Sequence, residues 1–360
     1  MSSALPLLTR CLREPARLAS LSAADWDLLI RQARHSRLLG RLAALAGPDE
    51  CIPAGPAGHL RAARHVAAAQ RRAALWEARH IARALAPTGV PVVLLKGAAY
   101  ALADLDAGRG RLMTDVDILV PQARLQEVES ELVLNGWLGS SELSAHDQRY
   151  YREWMHEIPP MRHMRRSTVI DVHYNILPRV GRLNVEAAQL LARAVPLPGH
   201  PGLYRLADPD LVLHSACHLF LDGEFDKGLR DLVDLDALLR QLGAQQPALW
   251  QELPARALEL GLGRVLFYAL RYTQRLLGTP VPEPALAALR GQAPAPAALA
   301  LMDALFERAL RPDHPSCAQR GSATARALLY LRGHWLRMPA HLLLLHLTIK
   351  AFAPRETRPA

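Results

Sequence analysis

The hydrophobic pattern of the chain is helical at both ends and strand-like near the middle. Through residues 1–86, apolar residues recur at intervals of three and four, and Ser22 provides a helix cap ahead of one such run. A second helix is predicted over Ala62–Leu85, after the proline- and glycine-containing stretch 53–58. The N-terminal part therefore reads as a helical unit.

The period changes after residue 89. Short apolar runs rich in β-branched residues predict buried strands over 90–95, 114–120 and 167–174. A short helix is predicted to open at Lys96, and a longer one over 122–135, ending before Gly136. This central segment reads as a small α/β unit.

From Leu190 to Phe352 the pattern is helical again, with glycine and proline residues between the runs. We therefore expect an α+β fold that is mostly helical, with a small mixed sheet between two sets of helices. The expected units are an N-terminal helical unit over 1–87, an α/β core over 88–185 and a C-terminal helical bundle over 186–360.

Composition excludes several classes of protein. Half of the 360 residues are apolar, which excludes a disordered chain. The formal charge is +9, but only three of the 43 basic residues are lysine, as expected from coding bias, so nucleic acid is an unlikely partner. The four cysteines form no C-x-x-C pair, and the most apolar stretch, 339–352, is shorter than the ~20 residues of a spanning helix. We expect a cytoplasmic protein without a membrane span.

The second predicted strand carries two acids, Asp115 and Asp117. Side chains two apart on a strand share a face, so both carboxylates point to one place. Paired carboxylates suit Mg²⁺, and the nearby Arg109 and Arg111 suit a polyphosphate. The same D-x-D spacing recurs at 104–106 in a loop and at 234–236 on a helix, where it does not put both acids on one face.

The third predicted strand adds Asp171, which shares a face with Val169 and His173. If the two acidic strands are neighbours, three carboxylates converge. Such a group would hold two metal ions, and Asp171 would be the natural acceptor for the proton of an attacking hydroxyl. The alternative is that the acids only keep an edge strand soluble.

These residues, taken together, resemble the bacterial uncharacterised nucleotidyltransferase family of the DNA polymerase β-like nucleotidyltransferase superfamily. The resemblance covers about residues 20–350 and rests on several motifs. They are Leu-Leu-Lys-Gly-Ala over 94–98, Arg111 with Asp115-Val-Asp117, Asn-Gly-Trp over 135–137, Ile-Asp-Val-His-Tyr over 170–174, Asp208 to His214 and His218, and Leu-Arg-Asp-Leu-Val-Asp over 229–234.

The resemblance implies Mg²⁺-dependent transfer of a nucleoside monophosphate from an NTP to a hydroxyl, with release of pyrophosphate. Asp115, Asp117 and Asp171 would be the catalytic and metal-binding residues. Lys96, Gly97, Ala98 and Arg111 would bind the nucleotide, with Gly97 at the superfamily's glycine turn. The acceptor, a small molecule, peptide or protein, is not encoded in these motifs, and the C-terminal helical bundle over 186–360 would bind it.

The glycine turn departs from the superfamily pattern, because Gly97 is followed by Ala98 and not by glycine or serine. A serine hydroxyl that would contact phosphate is missing. The alternative function is therefore a catalytically degraded module with the same fold, which binds nucleotide or a protein partner.

Several histidines are further candidates for substrate contacts. His214 and His218 lie four apart on a predicted helix, a spacing that suits zinc, although residues lining a cleft are the favoured interpretation. With Arg230 they could face the active site, and His173 lies beside Asp171. The residues crowding the approach to the third strand, among them His156, His163 and Arg166, would either steer an anion or be solvated.

Overall fold

The computed structural model describes residues 5–47, 52–139 and 144–352. The first helices are α1 (Leu7–Arg13), α2 (Ala23–His35), α3 (Leu39–Leu45) and α4 (Ala54–Leu85). Ser22 caps α2 as expected, since its hydroxyl accepts from the Asp25 backbone and the Asp25 carboxylate accepts in return. The helical N-terminal part is confirmed.

The stretch 53–58 does not break the chain between two helices. Helix α4 begins at Ala54 and includes Gly55, Pro56 and Gly58 in its first turns. A proline is tolerated there because the backbone N–H groups of a helix's first turn have no acceptor within the helix. The prediction that the helix starts only at Ala62 is therefore wrong.

The described residues form one seven-stranded mixed sheet, whose order is β3, β4, β5, β2, β1, β7 and β6. Its strands are β1 (Val92–Leu94), β2 (Asp115–Leu119), β3 (Trp137–Gly139), β4 (Met161–His163), β5 (Val169–His173), β6 (Val195–Pro196) and β7 (Leu203–Arg205). The three strands predicted from the sequence are β1, β2 and β5, and they are the neighbours at the centre of this sheet.

Strands β2 and β5 run parallel and side by side, with Asp117 opposite Asp171 and Leu119 opposite His173. Their intervening residues, among them Ile118 and Val172, are fully buried. Strand β1 pairs antiparallel with β2 on the other side. Neighbouring acidic strands, which the sequence analysis could only assume, are thus present in the structure.

Short helices connect the strands: α5 (Lys96–Leu102), α6 (Leu125–Leu134), α7 (Ala145–Arg149) and α8 (Ala187–Leu191). Strands β6 and β7 lie beyond residue 185 and extend the sheet through the parallel pairing of β7 with β1. The division of the chain into three units remains a prediction.

From Asp208 to Phe352 the described residues form helices and their connections, as predicted. These helices are α9 (Asp208–Leu221), α10 (Gly228–Gln245), α11 (Leu249–Glu259), α12 (Gly263–Tyr272), α13 (Glu283–Ala288), α14 (Pro296–Ala309), α15 (Ser322–Arg337) and α16 (Ala340–Phe352). One hydrophobic core runs from Leu7 through the sheet to Leu329. Within the described residues, none of the helices has both the length and the apolar character needed to cross a membrane.

Candidate active site

A cavity of about 340 Å³ lies between the central strands and the C-terminal helices. The strands contribute Asp115, Asp117, Asp171 and His173, and α9 contributes His214 and His218. Its remaining lining residues are Lys96, Tyr150, Tyr151, Met155, His156, Glu157, Ile176, Leu177, Pro178, Cys217, Leu221, Asp222, Glu224 and Arg337. Eight of the side chains singled out from the sequence therefore face one space.

Asp117 lies between the Lys96 ammonium group and the His173 ring. Its Oδ1 accepts from Lys96 Nζ at 3.2 Å and lies 3.2 Å from His173 Nε2. Burial favours the neutral acid, but the Lys96 charge and the His173 contact outweigh it and hold the pKa of Asp117 well below its usual range. Asp117 is therefore a permanent carboxylate, and both of these contacts use the same oxygen.

Lys96 occupies an unusual backbone position, with φ at +45° in the first turn of α5. Its ammonium is mostly buried, yet Asp117, Asp222 and Glu157 together outweigh desolvation and raise its pKa. A non-glycine residue in this region is strained, and such strain is held only where surrounding contacts fix it. The turn directs a permanent positive charge at Asp117.

The pKa of Asp171 is shifted in the direction opposite to that of Asp117. Burial, reinforced by the negative charges of Asp117 and Glu157, raises its pKa to about 7. Its Oδ1 is buried and has no hydrogen-bond partner. A buried oxygen without a partner is costly, so this atom is suited to receive a proton or a cation.

Beyond Asp117, the His173 ring meets a second acidic group. His173 Nδ1 lies 3.2 Å from Glu157 Oε2, and the ring stacks on His156 at a centroid distance of 5.4 Å. Burial disfavours the His173 cation, but Glu157 and Asp117 outweigh it and raise the pKa of His173. Burial and the His173 and Lys96 charges instead hold the pKa of His156 well below its usual range.

A second group of charged residues surrounds His218 on α9, at the helical side of the cavity. His218 lies 3.3 Å from Asp222 Oδ2 and 3.4 Å from Asp231 Oδ2 through its two ring nitrogens. Arg230 donates to Asp231 Oδ1 at 2.8 Å, and it lies behind this pair and outside the cavity lining. His214 is buried in the lining. The histidine pair thus lines the cleft, which was the favoured interpretation.

Three proposed nucleotide-binding residues lie outside the cavity lining. Arg111 donates through Nε to Asp234 on α10 at 2.8 Å, and this ion pair is nearly buried. The Arg111 guanidinium lies so close to Gly97 that a Cβ there would be 2.3 Å from it. Gly97 and Ala98 are themselves buried. Their roles in nucleotide binding remain predictions.

Sequence reasoning did not single out six of the polar lining residues: Tyr150, Tyr151, Glu157, Asp222, Glu224 and Arg337. Glu157 belongs to none of the sequence motifs. An isolated β-bridge between its backbone and that of His173 sets its position. Burial raises the pKa of Tyr151 to about 12, so its phenol stays a hydrogen-bond donor. Of the residues crowding the third strand, Arg166 pairs with Glu77 and His163 packs on Trp137, away from the cavity.

Carboxylates on adjacent parallel strands, lining one cavity beside a lysine, are the residue types suited to a cation and to anionic phosphate groups. The chain matches the family described as uncharacterised nucleotidyltransferase over residues 22–278. It belongs to this nucleotidyltransferase family. A comparison with curated proteins finds no match, and neither does one with solved structures.

Proposed function

We propose that the protein transfers a nucleoside monophosphate from an NTP to a hydroxyl of an acceptor and releases pyrophosphate, with Mg²⁺ as cofactor. The observation that supports this most is the arrangement of Asp115, Asp117 and Asp171. These acids come from adjacent parallel strands and line one cavity.

The residues present fit a magnesium ion in donor chemistry. Asp117 is ionised, and its two hydrogen-bonded contacts use Oδ1, which leaves Oδ2 for a cation. Asp171 Oδ1 is buried without a partner. We assign these two acids, with Asp115, as the metal ligands, in a site that would accommodate two ions. When bound, Mg²⁺ would neutralise phosphate charge and stabilise the leaving pyrophosphate.

Asp171 is the group we assign to remove the proton from the acceptor hydroxyl. A general base works best when its pKa is near the operating pH, and the pKa of Asp171 is about 7. Its neighbour Asp117 is fixed as a carboxylate by Lys96 and His173. Two acids with separated pKa values are the pattern expected for divided roles.

Lys96 is the residue we assign to the phosphates from within the cavity. Its ammonium stays charged, lines the cavity and lies 3.2 Å from Asp117 Oδ1. A positive group there also reduces repulsion between the carboxylates and a polyphosphate. The acceptor would lie on the side of α9, against His214 and His218, with His173 below it.

The proposal is tested by calorimetry with each NTP, with and without Mg²⁺, and by pyrophosphate release over a panel of hydroxyl-bearing small molecules and peptides. Asp117→Asn should lose the Mg²⁺-dependent part of binding, together with pyrophosphate release. The matched control is Asp104→Asn, which alters an acid of the same D-x-D spacing whose side chain is 76% exposed and outside the cavity. An Asp117→Asn variant with wild-type transfer would remove the basis of the proposal.

A second candidate is a nucleotide-binding module without transfer activity. It is favoured by the glycine turn, where Arg111 covers Gly97 and Ala98 offers no hydroxyl to phosphate. In the same assays this module would bind Mg²⁺ and NTP but release no pyrophosphate with any acceptor.

A further inference from the structure

His156, Glu157 and His173 each place a possible ligand atom within 4.8 Å of the others, at the end of the cavity beside β5. Within the described residues, this is the group of three histidine or acidic side chains that meets so closely. We infer that these residues form a binding site for a first-row transition-metal dication such as Zn²⁺, separate from the oxygen ligands assigned to Mg²⁺.

Each of the two histidines offers a ring nitrogen that makes no hydrogen bond. The Nδ1 atoms of His156 and His173 are both buried, and neither makes a hydrogen bond. His173 is 3% exposed, so water does not satisfy its ring. Buried nitrogens of this kind are costly unless a ligand occupies them.

The spacing within the group is suitable for a metal. His173 Nδ1 and Glu157 Oε2 lie 3.2 Å apart. Two ligands of a tetrahedral ion with bonds of about 2.0–2.1 Å are separated by about 3.3 Å. Two imidazoles and one carboxylate are a donor set typical of zinc and iron(II), whereas Mg²⁺ prefers oxygen ligands.

The backbone holds this group in place before any ion binds. Glu157 and His173 face each other across a β-bridge, and the amide of Tyr174 donates to the carbonyl of His156 at 2.9 Å. The adjacent Ile158 amide bonds to Val172 at 3.0 Å. The ligand-bearing segments are therefore fixed by main-chain bonds.

His173 also has the outer contact expected of a metal ligand. Its other ring nitrogen, Nε2, lies 3.2 Å from Asp117 Oδ1. Histidines that bind a metal usually donate their second N–H to a carboxylate, which fixes the ring and strengthens the ligand.

The competing explanation is that His173 is simply a cation between two carboxylates. The distance to Glu157 agrees with this, but Nδ1 makes no hydrogen bond in that direction. The stacked His156 with its own buried, unpartnered Nδ1 has no role in that explanation. A metal between the three side chains accounts for all of these features.

The test uses the full-length protein stripped by a chelator and titrated with Zn²⁺, in excess Mg²⁺ and without NTP. We expect one Zn²⁺ per chain, and Co²⁺ in its place should give visible absorption bands of a site with nitrogen ligands. Glu157→Gln and His156→Asn should each weaken Zn²⁺ binding more than about 10-fold. Thermal melting checks that both variants fold, and Glu157→Gln preserves the side-chain shape.

The matched control is His218→Asn, which alters another histidine of the same cavity outside the group. It should change Zn²⁺ affinity less than about twofold. The inference is overturned if the wild type binds Zn²⁺ no more tightly than the Glu157→Gln and His156→Asn variants. It is equally overturned if His218→Asn, and not these variants, abolishes binding, because the zinc would then lie at the α9 histidines.

This inference stands apart from the proposed nucleotidyl transfer. An Asp115→Asn variant separates them, since Asp115 belongs to the proposed magnesium site and not to the histidine group. It should lose Mg²⁺-dependent NTP binding and keep Zn²⁺ affinity. Loss of Zn²⁺ affinity in that variant would contradict an independent zinc site.

Discussion

Asp117 and Asp171 face each other across two parallel strands, yet one is held ionised while the other is driven towards its neutral form. Lys96 and His173 both contact Asp117. Asp171 has no such partner, and the negative charge of Asp117 adds to its burial. The pair therefore presents one fixed negative charge and one group that exchanges a proton near neutral pH.

The stability of the metal-free protein should depend on pH through Asp171. The folded protein keeps this proton up to about pH 7, whereas the unfolded chain loses it near pH 3.9. The folded state thus binds more protons in this interval, and stability falls as pH rises through it, by at most about 4 kcal/mol. We expect Asp171→Asn to be more stable than the wild type at pH 8, and this difference to shrink as pH falls until the two are similar at about pH 4, as measured by urea unfolding.

Mg²⁺ should reverse the order of stability of the wild type and Asp171→Asn at pH 8. Millimolar Mg²⁺ should raise the melting temperature of the wild type at pH 8, because an ion that binds only the folded state stabilises it. Asp171→Asn should gain less from Mg²⁺. Equal stability of the two proteins at pH 8 without Mg²⁺ would show that Asp171 is not buried near other negative charges.

Two substitutions of Lys96 separate its charge from its backbone strain. Lys96→Ala and Lys96→Gly both remove the ammonium, so both should lose Mg²⁺-dependent NTP binding. Glycine accepts the φ of +45° without a Cβ clash, so we expect Lys96→Gly to be more stable than Lys96→Ala by about 1 kcal/mol. Chemical denaturation of the two variants measures the difference, and a more stable alanine variant would contradict the strained turn.

The ion pair of Arg111 and Asp234 should be important for stability. Arg111→Met would leave a buried carboxylate without its partner, and we expect a loss of about 3–5 kcal/mol. The double variant Arg111→Met with Asp234→Leu should recover much of this loss. Its Mg²⁺–NTP affinity then tests the predicted nucleotide contact, since a large drop in a stable protein would mean that Arg111 also binds the triphosphate.

Glu77 of α4 should anchor the start of β5. Its carboxylate accepts from Trp137 Nε1 at 3.0 Å, from Thr168 Oγ1 at 2.7 Å and from Arg166 Nε at 2.9 Å. Glu77→Ala leaves these donors unpaired, and we expect a loss of about 3 kcal/mol in urea unfolding. The control is a substitution of Glu153, an acid whose side chain is 61% exposed, and it should cost little.

The sequence contained enough information for the acidic strands. Asp115, Asp117 and Asp171 alternate with fully buried apolar residues, and this period is a local property of the chain. The outer strands could not be found in this way. Strand β6 is only Val195–Pro196 and both residues are exposed, so no alternation exists and the strand is defined only by its pairing with β7.

Contacts in the candidate site that depend on residues far apart in the sequence were likewise not predictable from local patterns. Arg111 was a candidate for phosphate contact because it precedes the acidic strand, but its partner Asp234 lies 123 residues later, on α10. Glu157 reaches His173 through a β-bridge that no local pattern announces. Residues brought together by long-range packing were therefore the ones that sequence reasoning missed.

Strand β7 ties the two halves of the molecule together. It pairs with β1 immediately before Lys96, and two residues after β7 the chain enters α9, which carries His214 and His218. A fragment cut at residue 185 would leave the β1 edge without its neighbour, open to aggregation. If the acceptor binds against α9 as proposed, a shift of that helix would act through the pairing of β7 with β1 on the Lys96 turn, so that filling one side of the cleft would adjust the other.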